Sequence, residues 1–286
     1  MKIYLSYAVR GANTWWRYLV CTPLALGLTV VLGTAIVVVL TVLHAVPRDL
    51  AARIQAPQDP VSFYPIIGML FAVIVAGFAL AIRIMHKKTP GDVIGAWTWR
   101  SFGSGFAIWA GIVLVTALID FAIDPSGFRF TATRDTPMLA LVAFGGLAAQ
   151  TFAEEFVFRG YLTQGLLLAT KRIVPTALIS GALFGAMHIP NGGPQAVSAT
   201  IFGVGLALIA IRTGGIAFTY GLHLANNLSA AVVLVSSGDA FRGSPGLLTQ
   251  TTPQLMWWDT AVGSIAVILL AVAMVWRSAQ KDRARA

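Results

Sequence analysis

Long apolar stretches recur along the whole chain, and they limit its fold more than any other feature. A helix needs about 20 mostly apolar residues to cross the hydrocarbon core of a bilayer. We count eight stretches close to this length, and we predict a membrane-spanning helix in each. They cover residues 18–43, 64–84, 102–123, 138–158, 173–189, 196–211, 216–236 and 256–276.

The composition supports a membrane protein and excludes other classes. Hydrophobic residues make up 57% of the chain and charged residues only 11%, whereas soluble domains carry about 25% charged residues. A soluble single-core domain and a disordered chain are therefore excluded. Cys21 is the only cysteine, which excludes an internal disulfide and cysteine-rich zinc sites. We predict an all-α, polytopic bundle of about eight transmembrane helices.

Positive charge predicts the orientation of this bundle. Lys and Arg total 20 against 11 Asp and Glu. The basic residues flank the apolar stretches, as topology signals do, so we expect no nucleic-acid partner. With eight spans both termini lie on one side, and that side carries 14 basic residues against five on the other. The positive-inside rule then places both termini in the cytoplasm. The first group comprises Lys2, Arg10, Arg17, Arg83, Lys87, Lys88, Arg100, Lys171, Arg172, Arg212, Arg277, Lys281, Arg283 and Arg285, and the second Arg48, Arg53, Arg129, Arg134 and Arg242, with Arg159 set aside.

No repeat, low-complexity tract or long linker interrupts the sequence. We therefore predict one integral membrane domain over residues 1–286. The Ala-, Val- and Arg-rich composition is suggestive of a bacterium. We expect a multi-pass protein of the cell membrane, which in a bacterium is the inner membrane.

Ionisable side chains inside membrane spans are costly and usually functional. The only two glutamates, Glu154 and Glu155, lie in the fourth stretch, while His188 and His223 lie within or beside later ones. The other histidines, His44 and His86, lie near span ends, where an interfacial side chain is expected.

Helical spacing sorts the polar residues into faces. Glu155 and Arg159 are four residues apart and share a face, so we predict an ion pair between them. Glu154 points about 100° away and is left free. His223 and Asn227 also share a face. The Gly181-to-Gly185 GxxxG pattern predicts close packing of a neighbouring helix.

The depth of these groups in the membrane decides whether they meet. At 1.5 Å per residue, Glu154 and His188 lie roughly 25 Å above the cytoplasmic helix ends, but His223 only roughly 12 Å. A meeting of all three requires a tilted helix, a different helix end or a raised turn at residues 213–215.

The polar residues form three motifs that resemble those of the CPBP family of intramembrane proteases. This group is related to the CaaX prenyl endopeptidase and to bacteriocin-processing, Abi-like proteins. The resemblance covers about residues 138–230, a catalytic core between N-terminal spans in 1–137 and a last span with a basic tail in 237–286. The motifs are EExxxR at Glu154, Glu155 and Arg159, FxxxH at Phe184 and His188, and HxxxN at His223 and Asn227.

The resemblance implies an intramembrane endopeptidase and a role for each motif residue. Glu154 would be the general base, with His188 as its partner on the attacking water. Glu155 and Arg159 would fix the helix and keep a charge near Glu154. His223 and Asn227 would donate hydrogen bonds to the oxyanion, a contribution that typically changes rates about 100- to 1,000-fold per donor.

A metalloprotease version of the same resemblance competes with this assignment. Glu154, His188 and His223 would supply the three protein ligands of a catalytic zinc, with water as the fourth. We favour the metal-free version because Asn227 beside His223 fits an oxyanion donor better. Zinc is the alternative cofactor.

Two functions of other classes compete with the protease. One is a proton- or cation-coupled transporter, although no internal hydropathy repeat supports it. The other is a non-catalytic immunity or scaffold protein of the same fold. For the protease, the expected partners are the lipid bilayer and a lipidated or hydrophobic peptide or membrane-protein substrate. Bacterial composition favours peptide or membrane-protein processing over prenyl-protein maturation.

Overall fold

The computed structural model describes residues 1–46, 59–237, 241–242, 244, 246–251 and 253–283. Three of the basic residues used to predict orientation, Arg48, Arg53 and Arg285, lie outside these ranges.

Helices make up most of the described chain, which confirms the all-α prediction. Every predicted span coincides with a helix, and the fourth extends well beyond its predicted end to Thr170. Among the described residues, five helices are long and apolar enough to cross a membrane. Two further apolar helical stretches are shorter, the helix Ile173–Ala186 and the part Thr260–Trp276 of the last helix. The count of eight spans and the cytoplasmic termini stay predictions. The helices are α1 (Lys2–Ala8), α2 (Trp15–Val42), α3 (Pro60–His86), α4 (Pro90–Ile94), α5 (Trp99–Ile123), α6 (Thr136–Glu154), α7 (Thr163–Thr170), α8 (Ile173–Ala186), α9 (Gly193–Thr213), α10 (Ala217–Leu228) and α11 (Pro253–Arg283).

Two π-helical segments extend helices of the core. Glu155–Leu162 joins α6 to α7 without a break, and Ser229–Val233 continues α10. Single-turn π insertions occur frequently at functional sites. The first of these segments carries most of the EExxxR motif.

A small three-stranded sheet lies outside the helices, in the order β1-β3-β2. The strands are β1 (Phe128–Phe130), β2 (Leu234–Ser236) and β3 (Leu248–Gln250). Strand β3 runs antiparallel to β1 and parallel to β2. The predicted span 216–236 is therefore wrong in its last three residues, which leave the helix and form β2.

Local sequence signals set several helix ends. Asp59 precedes α3 and its side chain accepts a hydrogen bond from the Ser62 backbone N–H at 3.3 Å. Thr98 caps α5 in the same way through Ser101 at 3.1 Å. Such side chains satisfy N–H groups that have no partner inside the helix.

The GxxxG pair packs one helix against the next, as predicted. A Cβ atom on Gly181 would lie 2.6 Å from the backbone nitrogen of Val204, and one on Gly185 would lie 2.8 Å from the Ala196 carbonyl oxygen. Only glycine permits this approach of α8 to α9. The contact fixes the position of His188, which follows α8.

One end of the bundle is covered by α1 and α4, and we call it the closed end. Tyr4 of α1 is fully buried in a cluster with Leu167 of α7 and Ile211 of α9. The turn after α9 lies under this layer, because Ile216 donates its backbone N–H to the Ile94 carbonyl at 3.0 Å. The start of α10 is therefore buried beneath this layer, with Ile216 and Ala217 at most 1% exposed.

Polar contacts attach the N-terminal segment to the closed end. His86 is buried, not interfacial as expected, with Nδ1 at 2.8 Å from the Ala12 carbonyl oxygen. The buried Lys88 amine donates to the Ala8 carbonyl oxygen at 2.7 Å, and burial lowers the pKa of Lys88 to about 8. Arg10 pairs with Asp92 at 2.8 Å. Burial opposes ionisation of Asp92, but hydrogen bonds from Arg10 and the adjacent cap hold its pKa below the usual range.

Candidate active site

The first π-helical segment presents the two glutamates and the arginine of the EExxxR motif. Glu154 ends α6, and Glu155 begins the π-helical turn that contains Arg159. Backbone carbonyls of this segment bond to side chains: that of Phe158 accepts from the Thr163 hydroxyl at 2.7 Å, and that of Arg159 accepts from the Tyr4 hydroxyl. The closed end is thus bonded directly to the motif.

The predicted ion pair of Glu155 and Arg159 is present in the structure. Nη1 of Arg159 lies 3.1 Å from Oε1 of Glu155, and both side chains are fully buried. The guanidinium carbon also lies 4.1 Å from the centre of the Phe184 ring. A buried cation is stabilised by a carboxylate and by an aromatic face, which explains why phenylalanine begins the FxxxH motif here.

His223 contacts both glutamates. Its Nδ1 lies 2.9 Å from Oε1 of Glu155, and its Nε2 lies 3.5 Å from Oε2 of Glu154. The side chain is only 4% exposed. His223 and Glu154, which helix lengths alone placed at different depths, are therefore neighbours.

Two side-chain amides, those of Gln150 and Asn227, form a hydrogen-bonded series that ends on Glu154. Gln150 donates from Nε2 to Oε1 of Glu154 at 2.7 Å, and its Oε1 accepts from Nδ2 of Asn227 at 3.2 Å. Asn227 also donates to the Thr151 hydroxyl at 3.1 Å. Glu154 and Asn227, from separate motifs, are thereby linked through one side chain.

His188 approaches the same region from the end of α8. Its Nδ1 lies 2.8 Å from the Phe184 carbonyl oxygen, so Nε2 is the ring nitrogen left for other partners. The His188 and Phe184 rings are 4.6 Å apart between centroids. The FxxxH spacing thus orients the imidazole through its own backbone.

A cavity of about 340 Å³ brings four of the six predicted site residues together. Glu154, His188, His223 and Asn227 line it, whereas Glu155 and Arg159 lie behind the wall, fully buried. Carboxylate, imidazole and amide groups thus face one shared space, a combination suited to acid–base chemistry. Its other lining residues are Trp109, Gln150, Phe184, Asn191, Pro194, Gln195, Ser198, Ala199, Phe202, Asn226, Ala230, Ser236, Phe241, Trp257, Thr260, Gly263 and Ser264.

The zinc alternative needs three ligands at metal-binding distance. Within the described part of the chain, no three His, Cys, Asp or Glu side chains gather in a way that could hold a metal ion. His223 instead directs both ring nitrogens at carboxylates that are themselves bonded to other groups. These side chains therefore do not form the ligand set of the zinc alternative, and the preference for the metal-free version stays a prediction.

Sequence reasoning missed four residues of this site. Gln150 stands four residues before Glu154 in an apolar span, a spacing that could have revealed it. Asn226 accepts from the Trp109 indole at 3.0 Å and donates to Asn227 at 3.2 Å. The position of Asn226 beside the motif residue Asn227 was a weak sequence signal for a role in the site. Trp109 and Tyr4 belong to distant helices, and no sequence signal connects them with the site.

Comparison with known proteins supports the family resemblance that the three motifs indicated. Residues 136–229 match the family described as type II CAAX prenyl endopeptidase Rce1-like. The chain is 29% identical over 292 residues to the uncharacterized protein YyaK of Bacillus subtilis (strain 168), an alignment that covers 96% of both chains. No solved structure matches the chain. The resemblance inferred from the three motifs is thus confirmed, and the matched residues nearly coincide with the predicted core 138–230.

Proposed function

We propose that this multi-pass membrane protein is an intramembrane endopeptidase, since its residues 136–229 match the Rce1-like family. The observation that carries the proposal is the single cavity lined by Glu154, His188, His223 and Asn227. Three helical elements far apart in the sequence supply these groups. A packing ion pair would need only Glu155 and Arg159.

Glu154 is the proposed general base. It lines the cavity with 13% of its side chain exposed, and Gln150 fixes one of its oxygens at 2.7 Å. A water between Glu154 and the Nε2 side of His188 would lose its proton to the carboxylate as it attacks the peptide carbonyl. A base held in place by its own partners avoids the cost of orientation during the reaction.

His223 and Asn227 are the proposed oxyanion donors, and Asn227 would have to release its bond to Gln150 or to Thr151 to donate. With Glu154, Glu155 and Arg159 ionised, a doubly protonated His223 makes the cluster neutral. A balanced set of buried charges is far cheaper than a net charge in a low-dielectric interior. Its Nε2–H, which lies on the cavity side of the ring 3.5 Å from Glu154, can then donate to the oxygen that becomes negative in the tetrahedral intermediate.

Glu155 and Arg159 are positioning residues in this proposal. Glu155 accepts from Nδ1 of His223 and so sets the direction of Nε2. Arg159 balances the charge of Glu155 from the other side at 3.1 Å. A carboxylate behind an imidazole orients the ring in the same way in other hydrolases.

The proposed substrate is a lipidated or hydrophobic peptide, or a membrane protein. Aromatic residues such as Trp109, Phe202 and Phe241 line the cavity beside the polar groups. Helix walls that face lipid favour a substrate that enters from the bilayer. A soluble peptide that is cleaved as fast as its lipidated twin would contradict this.

The experiment uses the full chain, purified in detergent and incubated with lipidated and hydrophobic peptides. Products are read by mass spectrometry for the wild type and for Glu154→Gln. We expect cleavage by the wild type alone. The matched control is Asp135→Asn, which makes the same chemical change at an exposed position before α6 and should leave cleavage intact.

Other outcomes point to other functions. Equal cleavage by wild type and Glu154→Gln would contradict the assignment of the base. Ion flux in proteoliposomes that depends on Glu154, without cleavage, would favour the transporter, and neither activity would favour the scaffold. Loss of cleavage with a chelator, restored by zinc, would favour the metalloprotease version.

A further inference from the structure

The exposed residues among the described lining of the cavity lie toward one end of the bundle. Its deep residues are nearly inaccessible, with His223 at 4% and Asn227 at 7% exposure. At the rim Asn191 is exposed and Trp257 is 59% exposed. The rim residues follow α8 or lie near the start of α9 and α11, and β2 contributes Ser236. We call this end the open end.

The opposite end is the closed end, and it blocks a path to the glutamates. Tyr4 of α1 covers the π-helical segment and donates to the Arg159 carbonyl. Val93 of α4 packs against Gly160, where a Cβ atom would lie 2.9 Å from the Val93 carbonyl oxygen. A substrate therefore reaches Glu154 from the open end or through the bilayer beside it.

Charge separates the two ends. Apart from the buried Arg159, the basic residues that the structure describes with their side chains number ten at the closed end and three at the open end. The chain contacts confirm this grouping, since α1 packs against α7 and α9 near Lys171 and Arg212. The positive-inside rule assigns the closed end to the cytoplasm. The closed-end group is Lys2, Arg10, Arg17, Arg83, Lys87, Lys88, Arg100, Lys171, Arg172 and Arg212, and the open-end group is Arg129, Arg134 and Arg242.

The lining of the cavity also limits what can bind. Among its described lining residues there is no Lys or Arg, and Glu154 provides negative charge. A free terminal carboxylate held near Glu154 would find only one cation in the lining, the protonated His223, and both ring nitrogens of that residue already face Glu154 and Glu155. An added negative charge is costly in such a partly buried site. An uncharged stretch inside a longer chain avoids this cost.

We propose that the site cuts uncharged segments of polypeptides on the non-cytoplasmic side of the membrane, and not carboxyl-terminal peptides presented from the cytoplasm. The direction of opening rests on burial and charge alone. The nature of the substrate rests in addition on the proposed endopeptidase function. The two parts can therefore fail separately.

The direction of opening is tested by cysteine labelling. The single buried cysteine makes Cys21→Ala a clean background. One cysteine is then introduced at the open end, as Asn191→Cys, and one at the closed end, as Ser6→Cys, both at exposed positions that leave the charge unchanged. A membrane-impermeant maleimide is applied to spheroplasts and to inverted vesicles, with Cys21→Ala alone as the unlabelled control.

We expect the Asn191→Cys protein to be labelled in spheroplasts and the Ser6→Cys protein only in inverted vesicles. The reverse pattern would overturn the proposal, because the cavity would then open to the cytoplasm. Neither result depends on catalysis, so an inactive protein is tested equally well.

The nature of the substrate is tested by mapping new peptide termini in membranes from cells that express wild type or Glu154→Gln. We expect termini that depend on Glu154 to lie in uncharged, non-cytoplasmic segments. Termini confined to cytoplasmic segments would overturn the proposal. The absence of any Glu154-dependent terminus would instead contradict the endopeptidase function, while the labelling result would stand.

Discussion

Nδ1 of His223 lies 2.9 Å from Oε1 of Glu155, so the imidazole of the third motif is bonded to the second glutamate of the first. The same carboxylate oxygen lies 3.1 Å from Arg159. Glu155 is thus the residue shared by the ion pair and by the proposed oxyanion donor. This arrangement makes separate predictions for stability and for catalysis.

Glu155→Gln should destabilise the protein strongly, because it leaves Arg159 buried without a counter-charge. Breaking a buried pair in this way costs about 3–5 kcal/mol, which lowers the unfolding temperature by roughly 10 °C. Thermal unfolding in detergent measures it. Glu155→Gln combined with Arg159→Met removes both charges and should recover part of the loss. A double variant no more stable than Glu155→Gln alone would contradict the uncompensated-charge explanation.

His223→Gln should lower kcat by about 100- to 1,000-fold, the usual effect of losing an oxyanion donor. KM should change little, since the donor acts on charge that develops in the transition state. His44→Gln makes the same change at an exposed histidine away from the cavity and should keep wild-type rates. Steady-state kinetics with one peptide substrate measure kcat and KM for both variants. A wild-type kcat for His223→Gln would show that His223 is not an oxyanion donor.

Gln150→Met should lower kcat while leaving the fold intact. Gln150 holds Glu154 at 2.7 Å and Asn227 at 3.2 Å, so its loss frees both groups to move. Misplacement of reacting groups by about 1 Å can cost about 100-fold. We expect a loss in kcat of about 10- to 100-fold with KM and unfolding temperature close to wild type. A parallel fall in unfolding temperature and activity would indicate a structural role only.

Much of the bundle and the main site residues follow from local sequence patterns. Apolar length locates the helices, and the four-residue spacing of Glu155 and Arg159 predicts their ion pair, which is present at 3.1 Å. These features depend on neighbours within one helix. The role of each site residue stays a prediction, because geometry places a side chain without measuring what it does.

Features that depend on contacts between distant segments could not be predicted. His86 lies near the end of an apolar stretch, where an interfacial side chain is expected, but Ala12 of the N-terminal segment covers it. The depth of His223 depends on the turn after α9, which α1 and α4 cover. The π-helical turn at Glu155 has no periodic signal in the sequence.

Tyr4→Phe should weaken the closed end. The Tyr4 hydroxyl donates to the Arg159 carbonyl, and phenylalanine removes this buried hydrogen bond. Such a loss costs about 0.5–1.5 kcal/mol, or roughly 1–6 °C in unfolding temperature. Tyr7→Phe is the matched control, one turn away on the same helix and only half-buried. Equal unfolding temperatures for the two variants would show that the Tyr4 hydroxyl does not hold the segment in place.

Lys88 should make the stability of the protein rise with pH in the alkaline range. Burial lowers its folded pKa to about 8, whereas an unfolded lysine titrates near 10.4. Between these values the unfolded state holds more protons than the folded state, so deprotonation favours folding as pH increases. The neutral amine can still donate to the Ala8 carbonyl oxygen at 2.7 Å.

Unfolding temperatures from pH 7.5 to 9.5 should therefore rise by about 2–4 °C in wild type relative to Lys88→Met. Lys87→Met, at the exposed neighbouring lysine, should keep the wild-type slope. Parallel profiles for wild type and Lys88→Met would mean that the amine is solvated and that the N-terminal segment does not enclose it.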